Sequence, residues 1–148
     1  MAFEYRLESL LRLQRGIEHQ EENRLLEYAS RVAKLKADLA EWERLRLRRK
    51  EAAWSDCASG AAGIVLTLEE EWDHLAKKRV QQVKTELAST EAMRTEQMEV
   101  YRAARQKRET LESLRERQAM NYRTEQLREA QRELDDGYLV RMFYPENR

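Results

Sequence analysis

The chain has 148 residues, with 28 Lys and Arg against 28 Asp and Glu, so its formal net charge is zero. Leu, Ile, Val and Phe together make up about a fifth of the residues, which lies at the lower limit for a globular core. Only 4 Gly and 1 Pro occur, so few positions can form the turns that β-hairpins and compact loops need. The composition therefore predicts an all-α protein of long helices and argues against a compact globule.

Several classes of protein are disfavoured by the same numbers. No uncharged stretch approaches the roughly 18 residues that cross a bilayer, and residues 1–6 open without an apolar segment, which predicts a cytoplasmic chain. A net charge of zero argues against binding to a nucleic acid or an anionic membrane through the overall charge of the chain. Cys57 is the only cysteine, so no disulfide can form within the chain.

A periodic stripe of apolar residues predicts the first helix, at about 3–54. Its members are spaced alternately three and four residues apart: Leu25, Tyr28, Val32, Leu35, Leu39 and Trp42. This is the a/d alternation of a coiled-coil seam. The stripe continues upstream at Leu10, Leu13 and Ile17. The eight-residue step from Ile17 to Leu25 predicts that the register drifts near Gly16.

A cluster of small residues predicts a turn at about 55–67 and a second helix after it. Thr67 and Glu70 have the spacing of a capping box, so helix two is predicted to begin at Leu68. Its apolar seam is predicted at Leu68, Trp72, Leu75, Val80, Val83, Leu87, Val100, Ala104, Leu111 and Leu114. Asp136 and Gly137 predict the end of this helix at about 136. The remaining tail, 137–148, is apolar and aromatic as far as Tyr144, and it either folds back or binds a partner.

The charge pattern predicts how the two helices pair in one antiparallel coiled-coil hairpin, a single domain over 1–148. With the turn centred near residue 61, the basic run Arg48, Arg49 and Lys50 faces the acidic residues Asp73, Glu71 and Glu70. At the other end, Glu18, Glu21 and Glu22 face Arg102 and Arg105. This register leaves 120–136 of helix two without a partner from helix one. That overhang needs another protein or water.

No set of residues in the sequence forms a recognisable catalytic, cofactor or metal site. Glu71 and His74 have the spacing of a di-iron carboxylate motif, but the required second motif is missing because His19 has Gly16 three residues before it. Cys57 has no histidine near it to form a thiolate. Neither a P-loop nor a dinucleotide-binding glycine motif occurs. The basic run 44–50 lies opposite an acidic run, which disfavours nucleic-acid binding.

Three tryptophans lie along the predicted hairpin. Trp42 and Trp72 fall on the seams, where packing is the simplest role. Trp54 and the run 64–66 lie at the turn, with fewer residues to pack against. The apolar residues at the hairpin tip either pack within the protein or form a docking surface for another protein.

The two ends of the chain carry a more specific pattern. Its residues in the first helix are Phe3, Tyr5, Arg6, Leu7, Glu8, Leu10, Leu11, Leu13 and Glu18. Those in the second are Arg108, Glu109, Leu111, Glu112, Leu114, Arg115, Glu116, Arg117, Tyr122, Gln131, Glu133, Leu134, Asp135 and Asp136. Together they resemble the FliJ family of the flagellar type III export apparatus, over nearly the whole chain. Members of that family are similar to the central stalk of rotary ATPases and are not enzymes.

The resemblance implies partners and contact residues. The terminal ends would sit in the ring of a hexameric flagellar export ATPase, and the hairpin body would face a membrane export gate protein. The implied ATPase contacts are Leu7, Leu11, Arg115, Arg117, Tyr122, Arg123, Gln131 and Asp135. Contacts of the hairpin body and tip are assigned to Trp42, Trp54 and Trp72. The expected location is the cytoplasm, at the cytoplasmic face of the cell membrane where the flagellum is anchored.

Two other interpretations stay open at this point. One is the equivalent stalk protein of a virulence type III secretion system. The other is a cytoplasmic coiled-coil scaffold or chaperone that dimerises through the distal part of helix two. The stalk hypothesis expects a monomer when the chain is alone, whereas the scaffold expects a stable dimer. A role in escorting export chaperones is undecided by the sequence.

Overall fold

Two long helices form almost the whole of the protein in a computed structural model that describes residues 3–60 and 62–143. Helix α1 runs from Glu8–Ala58, 51 residues, and helix α2 from Ala62–Phe143, 82 residues. The helices pack against each other as an all-α hairpin, and the described residues contain no strand. The predicted fold class is confirmed.

The turn between the helices is much shorter than the sequence predicted. Helix α1 continues past Trp54, and α2 begins six residues before Leu68. The amide of Gly60 donates to the carbonyl of Cys57 at 3.2 Å, and Gly60 has a φ of 102°, a left-handed conformation that suits glycine. The predicted capping box is wrong, since the hydroxyl of Thr67 donates to the carbonyl of Ile64 at 2.9 Å, inside α2.

The outer ends of the helices also differ from the prediction. Residues 3–7 precede α1, and the amide of Glu8 donates to the carbonyl of Tyr5 at 3.0 Å where the helix begins. Gly137 does not end α2, which continues to Phe143. One glycine in a helix interior costs about 1 kcal/mol relative to alanine, too little to stop a helix whose neighbours favour it. The predicted tail is therefore helical as far as 143, and Tyr144 and the residues after it lie outside the described chain.

The chain divides into two units by its internal contacts, and each is described by itself. The body unit contains the described residues of 19–102, including the turn. The terminal unit contains 3–18 and 103–143. None of the described helices is apolar enough over a sufficient length to cross a membrane.

The core of the body unit confirms the strongest part of the predicted seam. Val32 and Leu35 are buried, and the four other members of the stripe are half-buried: Leu25, Tyr28, Leu39 and Trp42. Helix α2 contributes the buried residues Ala76, Val80, Val83 and Thr90. The predicted seam positions Leu68, Leu75 and Val100 are exposed and were wrong, as was Leu114 in the terminal unit.

The first turns of α1 keep the heptad phase of the body, contrary to the predicted drift of register. Leu10 and Leu13 are exposed, so the predicted upstream stripe was wrong there, although Ile17 is half-buried. The inward positions are Leu11, Gln14, Glu18, Glu21 and Leu25, again spaced three and four residues apart. The heptad was hidden because polar residues occupy three of these positions.

Candidate partner-binding surfaces

Charge pairs join the two helices within the body unit. Arg49 Nη2 lies 2.7 Å from Glu69 Oε1, and Arg46 Nη2 lies 2.9 Å from Asp73 Oδ1. Further pairs join Arg31 with Glu86, Lys36 with Glu91 and Lys84 with Glu43. The charges predicted the antiparallel pairing of the helices correctly. The arginines that pair near the turn are Arg46 and Arg49, whereas the predicted run was Arg48, Arg49 and Lys50. Arg46 and Arg49 occupy seam positions, whereas Arg48 faces outward and is exposed.

Asp73 is the most strongly perturbed carboxylate among these pairs. Arg46 donates from Nε to its Oδ1 at 2.9 Å, Arg46 Nη2 lies 2.9 Å from the same oxygen, and Lys77 Nζ lies 2.9 Å from Oδ2. These cations stabilise the ionised form, so the hydrogen bonds from Arg46 and then Lys77 lower the pKa of Asp73 from 3.8 to about 2. This interaction determines which sides of α1 and α2 face each other close to the turn.

The terminal unit has its own network, centred on Arg108 of α2. Arg108 donates to Glu18 of α1 and to Glu112 of α2, and Arg15 Nη2 reaches Glu112 Oε1 at 2.8 Å. The hydrogen bond to Glu18 is the main cause of a raised Arg108 pKa, and that from Arg15 is the main cause of a lowered Glu112 pKa. Arg108, rather than the predicted Arg102, pairs with Glu18, because Arg108 is the arginine at the seam position.

The residues before α1 lie against α2 in the terminal unit. The hydroxyl of Tyr5 donates to the carbonyl of Leu111 at 3.0 Å. The ring of Phe3 contacts that of Tyr122, with centroids 5.8 Å apart and planes tilted by 45°. These contacts extend the pairing of the terminal unit as far along α2 as Tyr122.

Beyond Tyr122, α2 has no cover from the described chain. Every residue of 123–143 is exposed, so the overhang predicted over 120–136 begins only after Tyr122, which contacts Phe3, and it extends to the end of the helix. At 1.5 Å per residue the exposed segment measures about 31 Å. We call 123–143 the overhang.

One face of the overhang is uncharged, and this face includes Met120 in the preceding turn of helix α2. We call this face the outer stripe; its residues are Met120, Thr124, Leu127, Gln131, Leu134 and Tyr138. Leu127 is 72% exposed and Leu134 73%. Since successive residues rotate by about 100°, Met120 lies on the opposite side of α2 from the seam residue Tyr122. Such i, i+4, i+7 spacing is typical of helices that dock an apolar face into a groove.

A second exposed apolar surface lies at the turn, in the body unit. Trp54 is 79% exposed, and Ile64, Leu66 and Leu68 are also exposed. A shallow groove beside them is lined by Ala53, Trp54, Cys57 and Leu66, with charged residues at its rim. We call these residues the tip surface; the side chain of Val65 lies outside the described part of the chain.

Comparison with known proteins decides the family. The model of the flagellar FliJ protein family matches residues 3–148. The chain belongs to the FliJ family. This confirms the assignment made from the sequence, and it places the chain among the components of flagellar type III protein export, a family that is not enzymatic. None of the curated proteins and none of the solved structures gives a significant match.

The structure distributes the predicted ATPase contacts of this FliJ-family chain over different environments. Leu11 is fully buried and packs inside the hairpin, so we leave it out of the proposed contact surface. Arg115 pairs with Glu8, and Tyr122 contacts Phe3. The remaining members are exposed: Leu7, Arg117, Arg123, Gln131 and Asp135. Of these, only Gln131 lies on the outer stripe, and Leu127 was missed because an isolated leucine in a charged helix gives little signal.

The three tryptophans of this FliJ-family chain also differ from one another. Trp42 and Trp72 are half-buried, and the Arg49 guanidinium lies 4.2 Å from the centroid of the Trp72 ring. Trp54 is the one that faces solvent. Among the described residues, no group of three or more His, Cys, Asp or Glu comes together where it could hold a metal ion.

Proposed function

We propose that the chain is the non-enzymatic stalk of the flagellar export apparatus, which promotes assembly of the export ATPase ring and links the ring to the export gate. The observation that carries the proposal is the overhang, a helical segment about 31 Å long with every side chain exposed. A single exposed helix of this length suits insertion into the central opening of a ring.

The outer stripe supplies the apolar contact for that insertion. Leu127 and Leu134 expose most of their surface in the free chain, and burying such side chains is favourable by about 1.5–3 kcal/mol each. Charged residues such as Arg128 and Glu129 occupy the other faces of the overhang as far as Asp136, so over that length a partner is needed on one side only. One asymmetric helix makes different contacts with each of six ATPase subunits, which favours closure of an incomplete ring.

The tip surface is the proposed contact with the export gate. It lies at the turn of the body unit, and Trp54 is the exposed aromatic side chain that suits an interface anchor. A hairpin with one contact at its terminal end and another at its turn can pass a conformational bias from ring to gate.

The test is the turnover of the purified flagellar export ATPase at a concentration where its ring is incomplete, with and without the chain. We expect a saturable rise at about one chain per ring. The double variant Leu127→Ser/Leu134→Ser should lower the stimulation at least tenfold without changing helix content, because both side chains are exposed. The matched control is Leu26→Ser/Leu47→Ser, which alters two exposed leucines of the body unit and should stimulate normally.

Other results would contradict the proposal. Full stimulation by the Leu127/Leu134 variant would exclude the outer stripe as the contact. No stimulation and no co-sedimentation with the ATPase, together with a stable dimer in sedimentation velocity, would support the scaffold interpretation. For the gate, Trp54→Ser should reduce flagellar export in cells while stimulating the ATPase normally; loss of both would place Trp54 in the packing of the hairpin.

A further inference from the structure

The part of α1 that belongs to the terminal unit has an unusually polar seam. We call residues 3–18, which belong to this unit, the N-terminal arm. Its inward helical positions are Leu11, Gln14 and Glu18, of which two are polar. The next six inward positions after Glu21 are all apolar or aromatic, from Leu25 to Trp42. The N-terminal arm therefore buries less apolar surface per turn than the middle of α1 does.

Few apolar side chains hold the arm against α2. Tyr5 and Leu11 are its buried residues, and Ala104 is the buried residue that α2 contributes in the terminal unit. Leu111 is half-buried beneath Tyr5. Stability is lowest where buried apolar contacts are few, and such segments open separately from the rest of a fold.

Gln14 weakens the closed arrangement further. Its Oε1 atom is buried and has no hydrogen-bond partner among the described residues. A buried acceptor without a partner loses its bond to water and gains none in exchange. Opening the arm returns this atom to water, so Gln14 favours the open form.

Charge pairs supply much of the remaining attachment. Arg108 holds Glu18, Arg15 holds Glu112, and Arg115 Nε lies 3.4 Å from Glu8 Oε2. Glu109 also lies beside Arg108 on α2. All of these groups retain some contact with solvent, so salt can screen their attraction. The attachment is thus much more sensitive to ionic strength than an apolar seam.

We propose that the N-terminal arm is a releasable latch, which detaches from α2 while the body unit stays paired. Release uncovers Ala104, Arg108 and Leu111 and lengthens the free part of α2 from the overhang back toward residue 104. A partner that binds α2 can then cover a longer surface than the closed chain offers. The inference goes beyond the stalk function, since it does not depend on which protein binds.

Hydrogen exchange on the full chain, read by mass spectrometry, tests the latch. A detached helix of this length is marginal in water, so its amides exchange as it frays. We expect peptides from 8–18 to exchange at least tenfold faster than peptides from 28–42. Raising NaCl from about 0.05 M to about 1 M, where the Debye length falls to about 3 Å, should accelerate 8–18 severalfold and leave 28–42 unchanged.

A variant with an apolar seam should close the latch. Gln14→Leu/Glu18→Leu/Arg108→Leu replaces the unpaired acceptor and the central ion pair, and leaves Arg15 to pair with Glu112. We expect slower exchange in 8–18 and a smaller acceleration by salt than in the unaltered chain, since the pairs of Arg15 and Arg115 remain. The matched control is Gln20→Leu/Glu27→Leu/Arg128→Leu, the same three residue types at exposed positions, which should exchange like the unaltered chain.

Two results would overturn the latch. One is equal exchange in 8–18 and 28–42 of the unaltered chain at both salt concentrations, a measurement that does not need any variant to fold. The other is a salt-dependent acceleration that is as large in the variant with the apolar seam as in the unaltered chain, with normal helix content of the variant checked by circular dichroism.

Discussion

Arg46 of α1 donates from Nε to Oδ1 of Asp73 on α2 at 2.9 Å, and its Nη2 lies 2.9 Å from the same oxygen. Together with Lys77, this pair lowers the pKa of Asp73 to about 2. A carboxylate whose pKa is lower in the folded chain stabilises the fold above its unfolded pKa of 3.8. Its contribution is present above about pH 4 and is lost as the pH falls toward 2.

Removing this carboxylate should make the hairpin less stable and less sensitive to acid. We expect Asp73→Asn to lower the free energy of unfolding at pH 7 by about 1 kcal/mol, since a partly solvated pair contributes less than its full electrostatic energy. Between about pH 4 and 2 the difference from the unaltered chain should shrink. Thermal unfolding followed by circular dichroism measures both, and Asp136→Asn, in the exposed overhang, is the control that should match the unaltered chain.

The buried seam of the body unit should dominate its stability. Leu35→Ala removes a buried side chain and should cost about 2–5 kcal/mol in urea unfolding. Leu47→Ala makes the same chemical change at an exposed position and should alter stability by no more than about 0.5 kcal/mol. Equal losses in the two variants would contradict the assignment of the seam.

Two glycines should respond in opposite directions to alanine. Gly60 has a φ of 102°, so Gly60→Ala strains the turn and should destabilise the hairpin by about 1 kcal/mol or more. Gly16 lies inside α1, and an added Cβ there meets no atom within 4 Å. Gly16→Ala should therefore raise the unfolding free energy by about 0.5–1 kcal/mol. Melting temperatures of the two variants, measured together, decide the point.

The hydroxyl of Tyr5 should contribute locally to the terminal unit. Tyr5→Phe keeps the ring and removes the donor to the carbonyl of Leu111, which should cost about 0.5–1.5 kcal/mol. In this variant we expect amide exchange to become faster in 8–18 and to stay unchanged in 28–42. Tyr101→Phe, at a half-buried position of the body unit, is a suitable comparison and should leave 8–18 unaffected.

The apolar part of the hairpin could be predicted from the sequence because its spacing is unambiguous. Val32 and Leu35 follow a strict a/d alternation, and the balanced charge runs fix which residues of the two helices face each other. The overhang follows from the same register, since α1 has fewer residues than α2. Helix type and pairing therefore rest on patterns that extend over many residues.

The helix ends and the polar seam could not be predicted in the same way. Thr67 and Gly137 carry local signals for a cap and a helix end, but long helical neighbours on both sides override a preference of about 1 kcal/mol. Gln14 and Glu18 occupy inward positions with the wrong polarity, so a search for apolar residues selects Leu13 and misplaces the seam. The outer stripe was missed because no second helix reveals it.

The overhang also has a bearing on how long a free chain survives. A helix without tertiary contacts opens frequently, and this one carries Arg123, Arg128 and Arg132, at which a trypsin-like protease cleaves an opened backbone. A bound partner would shield the same bonds. Newly made chains that find no partner should then be degraded first, so that the amount of protein in a cell follows the number of partners available to receive it.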